Sequence, residues 1–287
     1  MSTSLPEIER CGDLTPAEFT RQYAAAHRPV ILTGATAGWQ ALQKWTPEFF
    51  RETYGDRTIS FQRGEVKERN LAEFIDLVTH SSAAQPAPYW TNNPIAEIFP
   101  ELLADLQPLP PYVEPNWGRR SFLHPGMGHS LNRGAKIELY IGGAGGAFPV
   151  LHWDGLSSHA FLMQIYGRKK YWAWAPDQSE LLYASKNPPN LSPIGDVEHP
   201  DLEKYPRFAE ARGMEFYLNP GEILFVPSRW WHTAKMEETS ITVSINVVNQ
   251  TNWANFTEDM LRNASGPASL FKRIYLAASG LKNRLQG

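Results

Sequence analysis

Cysteine is almost missing from this chain: its 287 residues include one, Cys11. An intramolecular disulfide framework and a cysteine-rich zinc site are therefore excluded. Long hydrophobic runs are missing too. No stretch approaches the ~18–20 apolar residues of a membrane span. Met1–Arg10 carries Glu7 and Glu9 and no apolar run, unlike a secretory signal. The expectation is a cytoplasmic protein with no membrane partner, its thiol reduced. Nor does one sign of charge dominate: 27 Lys+Arg against 30 Asp+Glu leave −3. That balance disfavours a nucleic-acid partner while leaving a local basic groove open. We find no repeat of solenoid or propeller period.

What is abundant is apolar and aromatic: 42% hydrophobic residues and ten Trp, enough for a packed core. Gly and Pro are spread through the chain, as expected of short strands joined by turns. Residues 1–135 mix helices and strands. Arg28–Leu32 reads as a strand, Thr46-Pro47-Glu48 as a capped helix start, Thr58–Arg63 as a strand, and Asn70 as the cap of a helix reaching about Val78. Ile95–Leu106 reads as a helix broken near Pro100. From Lys136 the runs KIELYIGG, HAFLMQIYG, KKYWAWAP, MEFYLNPGEILFVPS, WWHTAKM and SITVSINVV predict a mainly β jelly roll over 136–251. A long excursion, Asp177–Arg212, interrupts it. Residues 252–287 form a helical tail, Asn252–Asn263 and Ser269–Leu281. Its last helix groups Leu270, Phe271, Ile274, Ala277, Ala278 and Leu281 on one face.

The chemistry concentrates in three residues. His152-Trp153-Asp154 follows a glycine-rich turn, Gly142–Gly146, and reads as a short strand. Residues i and i+2 of a strand share a face, so His152 and Asp154 project together. After the Asn219-Pro220-Gly221-Glu222 turn an apolar run ends at Pro227, and Trp230-Trp231-His232 starts the next strand, which in a jelly roll can face the one carrying His152. Two His and one carboxylate with open positions suit a non-haem Fe(II) oxygenase. Three protein ligands plus water also suit a zinc hydrolase, although no general base stands at a set spacing to support that reading. Each residue alone is ordinary: a lone His beside two Trp is commonly a packed core residue.

The order ELYIGGAGGAFPVLHWD, QIYGRKKYWAWAPDQ, LNPGEILFVPSRWWH, SITVSINVV resembles the Jumonji-C, cupin-like Fe(II)- and 2-oxoglutarate-dependent oxygenases, with asparaginyl-hydroxylase-like features. RPVILTGATAGWQALQKWT and YGDRTISFQRG resemble the N-terminal part of such domains, so the likeness spans roughly residues 25–250. It implies a double-stranded β-helix (jelly roll, cupin-like) flanked by helices. It implies one oxygenase domain over 1–251 and a C-terminal helical tail over 252–287. It implies His152, Asp154 and His232 as iron ligands and catalytic residues. Lys169, after Gly167, would pair with the distal carboxylate of 2-oxoglutarate, while Lys170 faces away. Tyr89 would share that carboxylate, and Asn246 would lie near the metal and the C1 carboxylate. Two departures stand out. Phe148-Pro149-Val150-Leu151 lacks the hydroxyl that often precedes the first ligand. His159 occupies the region of a frequent Asn and reads equally as a substrate contact or a satisfied core residue.

The resemblance implies consumption of O2 and 2-oxoglutarate, release of succinate and CO2, and hydroxylation of a substrate. A protein or peptide side chain is the favoured substrate. A small molecule, and a non-catalytic cupin-like binding protein, remain as alternatives. With no histone-reader module, chromatin demethylation is disfavoured. Asp177–Arg212 and Gln107–Pro115, with Tyr112 inside the latter and Trp117 beyond it, are candidate substrate contacts or plain covers. The apolar face of the last helix docks on its own domain or on a second copy, as a homodimer.

Overall fold

Alternating apolar and polar residues set the strands, and turns separate them. The computed structural model describes residues 7–61, 68–118, 136–262 and 267–286. Its strands are β1 (Arg10–Cys11), β2 (Val30–Leu32), β3 (Thr58–Ser60), β4 (Glu68–Asn70), β5 (Trp90–Pro94), β6 (Ile137–Gly142), β7 (His159–Tyr166), β8 (Lys169–Trp174), β9 (Met214–Leu218), β10 (Ile223–Val226), β11 (Trp231–Lys235) and β12 (Ser240–Val247). The larger sheet runs β1-β2-β10-β7-β12-β6-β5 and the smaller β11-β8-β9. Apart from β1 on β2, the pairs in these two sheets are antiparallel. This is a jelly roll with flanking helices, as the spacing of the runs predicts.

One face of the larger sheet is a continuous core. Leu139 and Ile141 of β6, Val243 and Ile245 of β12, and Phe161 and Met163 of β7 are at most 1% exposed. Residues of the N-terminal helices, among them Phe50, Leu71, Phe74 and Ile75, join the same cluster. Thr46 caps the helix Pro47–Tyr54 by accepting from the Phe49 amide at 3.1 Å. Asn70 caps Leu71–Thr79 by accepting from Ala72 at 3.0 Å. The predicted helix over 95–106 divides into Ile95–Ile98 and a tighter turn, Pro100–Leu106, because Pro100 cannot donate to the preceding turn.

The opposite face carries the polar alternates. Registered across three strands are Glu138, Ser244 and Leu162, then Tyr140, Thr242 and Gln164. The smaller sheet faces them, and the functional cavity lies between.

Three expectations change in detail. The strand predicted over Thr58–Arg63 stops at Ser60; Gln62 and Arg63 lie outside the described residues. The strand predicted for His152–Asp154 is a single bridge at His152, which meets both Leu191 and His232. Asp154 instead opens a short turn, Gly155–Ser157. The long excursion 177–212 does not reach the cavity. Its Leu182, Ile194, Tyr205 and Phe208 pack with Trp153, Trp172, Trp174 and Trp231 as a separate apolar cluster.

The 107–115 connector is likewise a cover: Tyr112 is buried and its hydroxyl donates to the Leu14 carbonyl at 2.7 Å. Trp117 packs against Trp253, ring centroids 5.2 Å apart. The tail forms helices Trp253–Arg262 and Pro267–Gln286; Asn263 of the expected first helix lies outside the described residues. No helix among the described residues is long and apolar enough to cross a membrane.

Candidate metal centre

His152 and His232 sit side by side, not across the roll. Their backbones exchange two hydrogen bonds, His152 N to His232 O at 3.1 Å and the reverse at 2.7 Å. Their rings consequently lie 4.5 Å apart, centroid to centroid. Asp154 approaches from the turn after His152, its Oδ2 lying 3.7 Å from His232 Nε2. One ligand atom from each of the three lies within 4.8 Å of the others. That spacing suits a single ion at the ordinary ~2.1 Å bond length, with a slight inward closure of the side chains.

Backbone carbonyls set the state of both rings. His152 Nδ1 lies 3.1 Å from the Val150 carbonyl and His232 Nδ1 lies 3.0 Å from the Trp230 carbonyl. A carbonyl only accepts, so each Nδ1 carries a proton and Nε2 is the nitrogen of each ring that a metal would take. Phe148 stacks on His152 at 4.5 Å and 17° and limits its rotation. The donor set, two imidazole nitrogens and a carboxylate oxygen, is that of an open iron or zinc site.

The same cavity holds a buried cation. Lys169 opens β8 and points inward, while Lys170 points outward to Glu198 at 2.7 Å and Glu215 at 3.1 Å. Lys169 donates to the Tyr89 hydroxyl in a short hydrogen bond and reaches Thr242 Oγ1 at 3.5 Å. Its Nζ lies over the rings of Tyr89 and Tyr171 at 4.7 and 5.5 Å. Among the described residues no carboxylate forms an ion pair with it. Burial therefore pulls its pKa down to about 7. Gly142 makes room for this arrangement: a Cβ there would lie 2.7 Å from Tyr89 Cδ2.

Asn92 and Tyr140 also line the cavity, Tyr140 beside Tyr89 with ring centroids 6.2 Å apart. Tyr140 donates to Asn92 Oδ1 at 2.7 Å, and its hydroxyl lies 3.1 Å from Glu138 Oε2. Burial is the main cause that raises Glu138 to about 7, and the nearby Asp154 charge adds to it. Sequence reasoning missed Glu138, Tyr140, Asn92 and Thr242. For Glu138, Tyr140 and Thr242 the signal was present in KIELYIGG and SITVSINVV, where polar residues alternate with apolar ones inside otherwise buried strands; Asn92 lies in neither run.

Asn246 continues the Thr242–Ser244 face but does not line the cavity. It donates to Ser158 Oγ at 2.7 Å. His159 is fully buried away from the cavity, its Nδ1 accepting from the Ser228 amide at 2.9 Å and its Nε2 donating to Thr251 Oγ1 at 2.8 Å. Both ring nitrogens are satisfied, so it is a core residue.

Comparison with known proteins gives the family. Residues 16–253 match the model of the cupin-like domain family. The chain is 31% identical over 252 residues to lysine-specific demethylase 8 of Xenopus tropicalis, covering 84% of this chain and 52% of that protein. It is 25% identical over 266 residues to tRNA wybutosine-synthesizing protein 5 of Gallus gallus, covering 83% and 76%. It is 26% identical over 269 residues to HSPB1-associated protein 1 of Bos taurus, covering 85% and 52%. It spans little more than half the length of the two lysine-specific demethylase 8 proteins it matches. The extent of the family match and the order of the site residues within it agree: the chain belongs to the Jumonji-C, cupin-like oxygenase family.

Proposed function

We propose that this protein is an Fe(II)- and 2-oxoglutarate-dependent hydroxylase acting on a protein or peptide side chain. The carrying observation is that one cavity joins three metal-type ligands to a buried ammonium that, among the described residues, has no carboxylate partner. A lone buried ammonium is costly, and a bound dicarboxylate supplies the charge it lacks. His152, Asp154 and His232 would hold the iron, which, when bound, supplies the activation of O2 and of the cosubstrate's keto acid. Lys169 and Tyr89 would anchor the distal carboxylate of 2-oxoglutarate through charge-assisted hydrogen bonds. Asn246 supports the Asp154 segment through Ser158. Phe148 and Leu162 keep that end of the cavity apolar. Asn92 and Tyr140 present hydrogen-bonding groups to a substrate.

A peptide substrate fits a site whose lining receives nothing from the 177–212 excursion, so that cover does not close over it. A small metabolite is the alternative. A cytoplasmic address and a second copy of the chain as partner belong to the same proposal. The exposed residues of the last helix are where that copy would sit.

The test is succinate production from 2-oxoglutarate, dependent on Fe(II) and lost in His152→Ala and Asp154→Ala. Absence of succinate across a peptide and metabolite panel, with no metal retained, overturns the oxygenase. Tight zinc without 2-oxoglutarate binding would point to the hydrolase instead.

A further inference from the structure

Both segments that bear metal ligands are held in an unusual backbone conformation. Leu156 and Ser157, just after Asp154, have φ of 58° and 48°. Arg229, three residues before His232, has φ of 63°. Non-glycine residues in the left-handed region are disfavoured and persist where surrounding contacts fix them. The contacts here come from outside the jelly roll, from the helix Trp253–Arg262.

Asp259 on that helix has a side chain only 5% exposed. Its Oδ2 accepts from Ser157 Oγ at 2.5 Å. Its Oδ1 lies 3.4 Å from Arg229 Nη2. Arg229 Nε in turn donates to Ser157 Oγ at 3.0 Å, closing a ring of three side chains. One carboxylate thereby grips the turn after Asp154 and the turn before His232 together. Glu258 also pairs with Arg229, at 2.8 Å, but its side chain is 61% exposed, and among the described residues Ser157 Oγ bonds to Asp259 and Arg229 instead.

We propose that Asp259 is a positioning residue: it locks the Asp154 and His232 segments against one another and so sets the spacing of the ligand atoms. The consequence for metal rests on the metal-centre reading above; the clamping of the two segments does not. Outer groups that orient ligands change metal affinity by about 10–100-fold when removed.

The experiment uses the full chain and three variants, Asp259→Ala, Ser157→Ala and Glu258→Ala. Hydrogen–deuterium exchange is followed on metal-free protein, and Co(II) is titrated by its absorption spectrum. Asp259→Ala is expected to speed exchange in both 155–158 and 228–232 and to weaken Co(II) binding by about tenfold or more. Ser157→Ala, should Asp259→Ala fold poorly, is expected to loosen chiefly 155–158 with a smaller loss of Co(II) affinity. Glu258→Ala is expected to match wild type. The proposal is overturned if faster exchange stays within 253–262, or if Asp259→Ala and Glu258→Ala titrate alike. Should wild type take up no Co(II) while Asp259→Ala still loosens both segments, the metal reading falls and the clamp stands.

Discussion

Lys169 and Tyr89 meet inside the cavity: the ammonium donates to the phenol oxygen and lies 4.7 Å from the ring centroid. Neither group neutralises the charge. The phenol stays protonated, since burial holds the Tyr89 pKa well above its ordinary value. The pair is thus a cation with its solvation replaced by a hydroxyl and a ring, and still short of an anion.

Lys169→Met should therefore separate stability from binding. In metal-free protein the variant is expected to melt no lower than wild type at pH 7, because a buried ammonium has been removed. The Lys169 pKa falls to about 7, against 10.5 in the unfolded chain. Across that window the unfolded chain binds more protons, so wild-type stability rises with pH from about 7 to 10.5, and Lys169→Met loses this rise. Addition of 2-oxoglutarate should stabilise wild type by about 3 kcal/mol at a hundred times its Kd and leave the variant unmoved. Thermal melts with and without the ligand decide it; equal stabilisation of both proteins would remove Lys169 from the site.

His159 gives an acid limb with the opposite kind of group. Burial, the larger cause, and the nearby His27 hold its pKa near 3. The unfolded chain takes the proton near pH 6.5, so stability is full above that and falls as pH drops from 6.5 toward 3, by up to about 1.4 kcal/mol per unit. His159→Phe should flatten this limb. At pH 7.5 it should also be less stable, by about 1–3 kcal/mol for each partner left unsatisfied, Ser228 N–H and Thr251 Oγ1. Denaturant titrations at several pH values measure both effects.

Glu138→Gln should run the other way. Burial raises the Glu138 carboxyl to about 7. Wild type then loses stability as pH rises from about 4.5 to 7, because the folded state keeps a proton that the unfolded chain releases. The amide removes the buried charge, and its NH2 can donate to the Tyr140 oxygen. We expect the variant to match wild type near pH 4.5 and to exceed it at pH 8 by roughly 1–3 kcal/mol in metal-free protein.

Much of this was legible in the chain because strand periodicity and ligand chemistry are local. His152, Asp154 and His232 were found from residue type, turns and order. Lys169 was separated from Lys170 by the period of two, and the structure sends them to opposite faces. Other features were not local. Asp259 pairs with Arg262 three residues on, at 2.5 Å, and nothing nearby in the chain says that it also turns inward to Ser157. Asp105 is similar: it is buried because Trp45 Nε1, sixty positions earlier, donates to it at 2.8 Å. His152 lacks a regular strand because its segment meets β11 only at isolated bridges, Ala147 to Lys235 and His152 to His232, while its own second bridge goes to Leu191 in the distant 177–212 excursion.

The last helix shows the limit of periodicity most directly. Leu270, Ile274, Ala277, Ala278 and Leu281 do share a stripe, yet they face away from the domain; the side chain of Phe271 lies outside the described ones. Leu270, Ile274 and Leu281 are each 62% exposed, and Leu285 extends the stripe at 79%. The helix docks through a different side, where Leu276 is 1% exposed against Trp253, Phe256 and Met260. Gly280 allows that approach, since a Cβ would stand 2.5 Å from Trp253 Nε1. Two substitutions on one helix should then behave differently. Leu276→Ala removes buried contacts and should cost about 2–5 kcal/mol of docking, seen as faster amide exchange through 267–286. Leu281→Asp should leave monomer stability within about 0.5 kcal/mol. If two copies pair through the stripe, Leu281→Asp instead lowers the sedimenting mass to that of one chain. A wild-type protein that sediments as one chain at high concentration excludes the pairing.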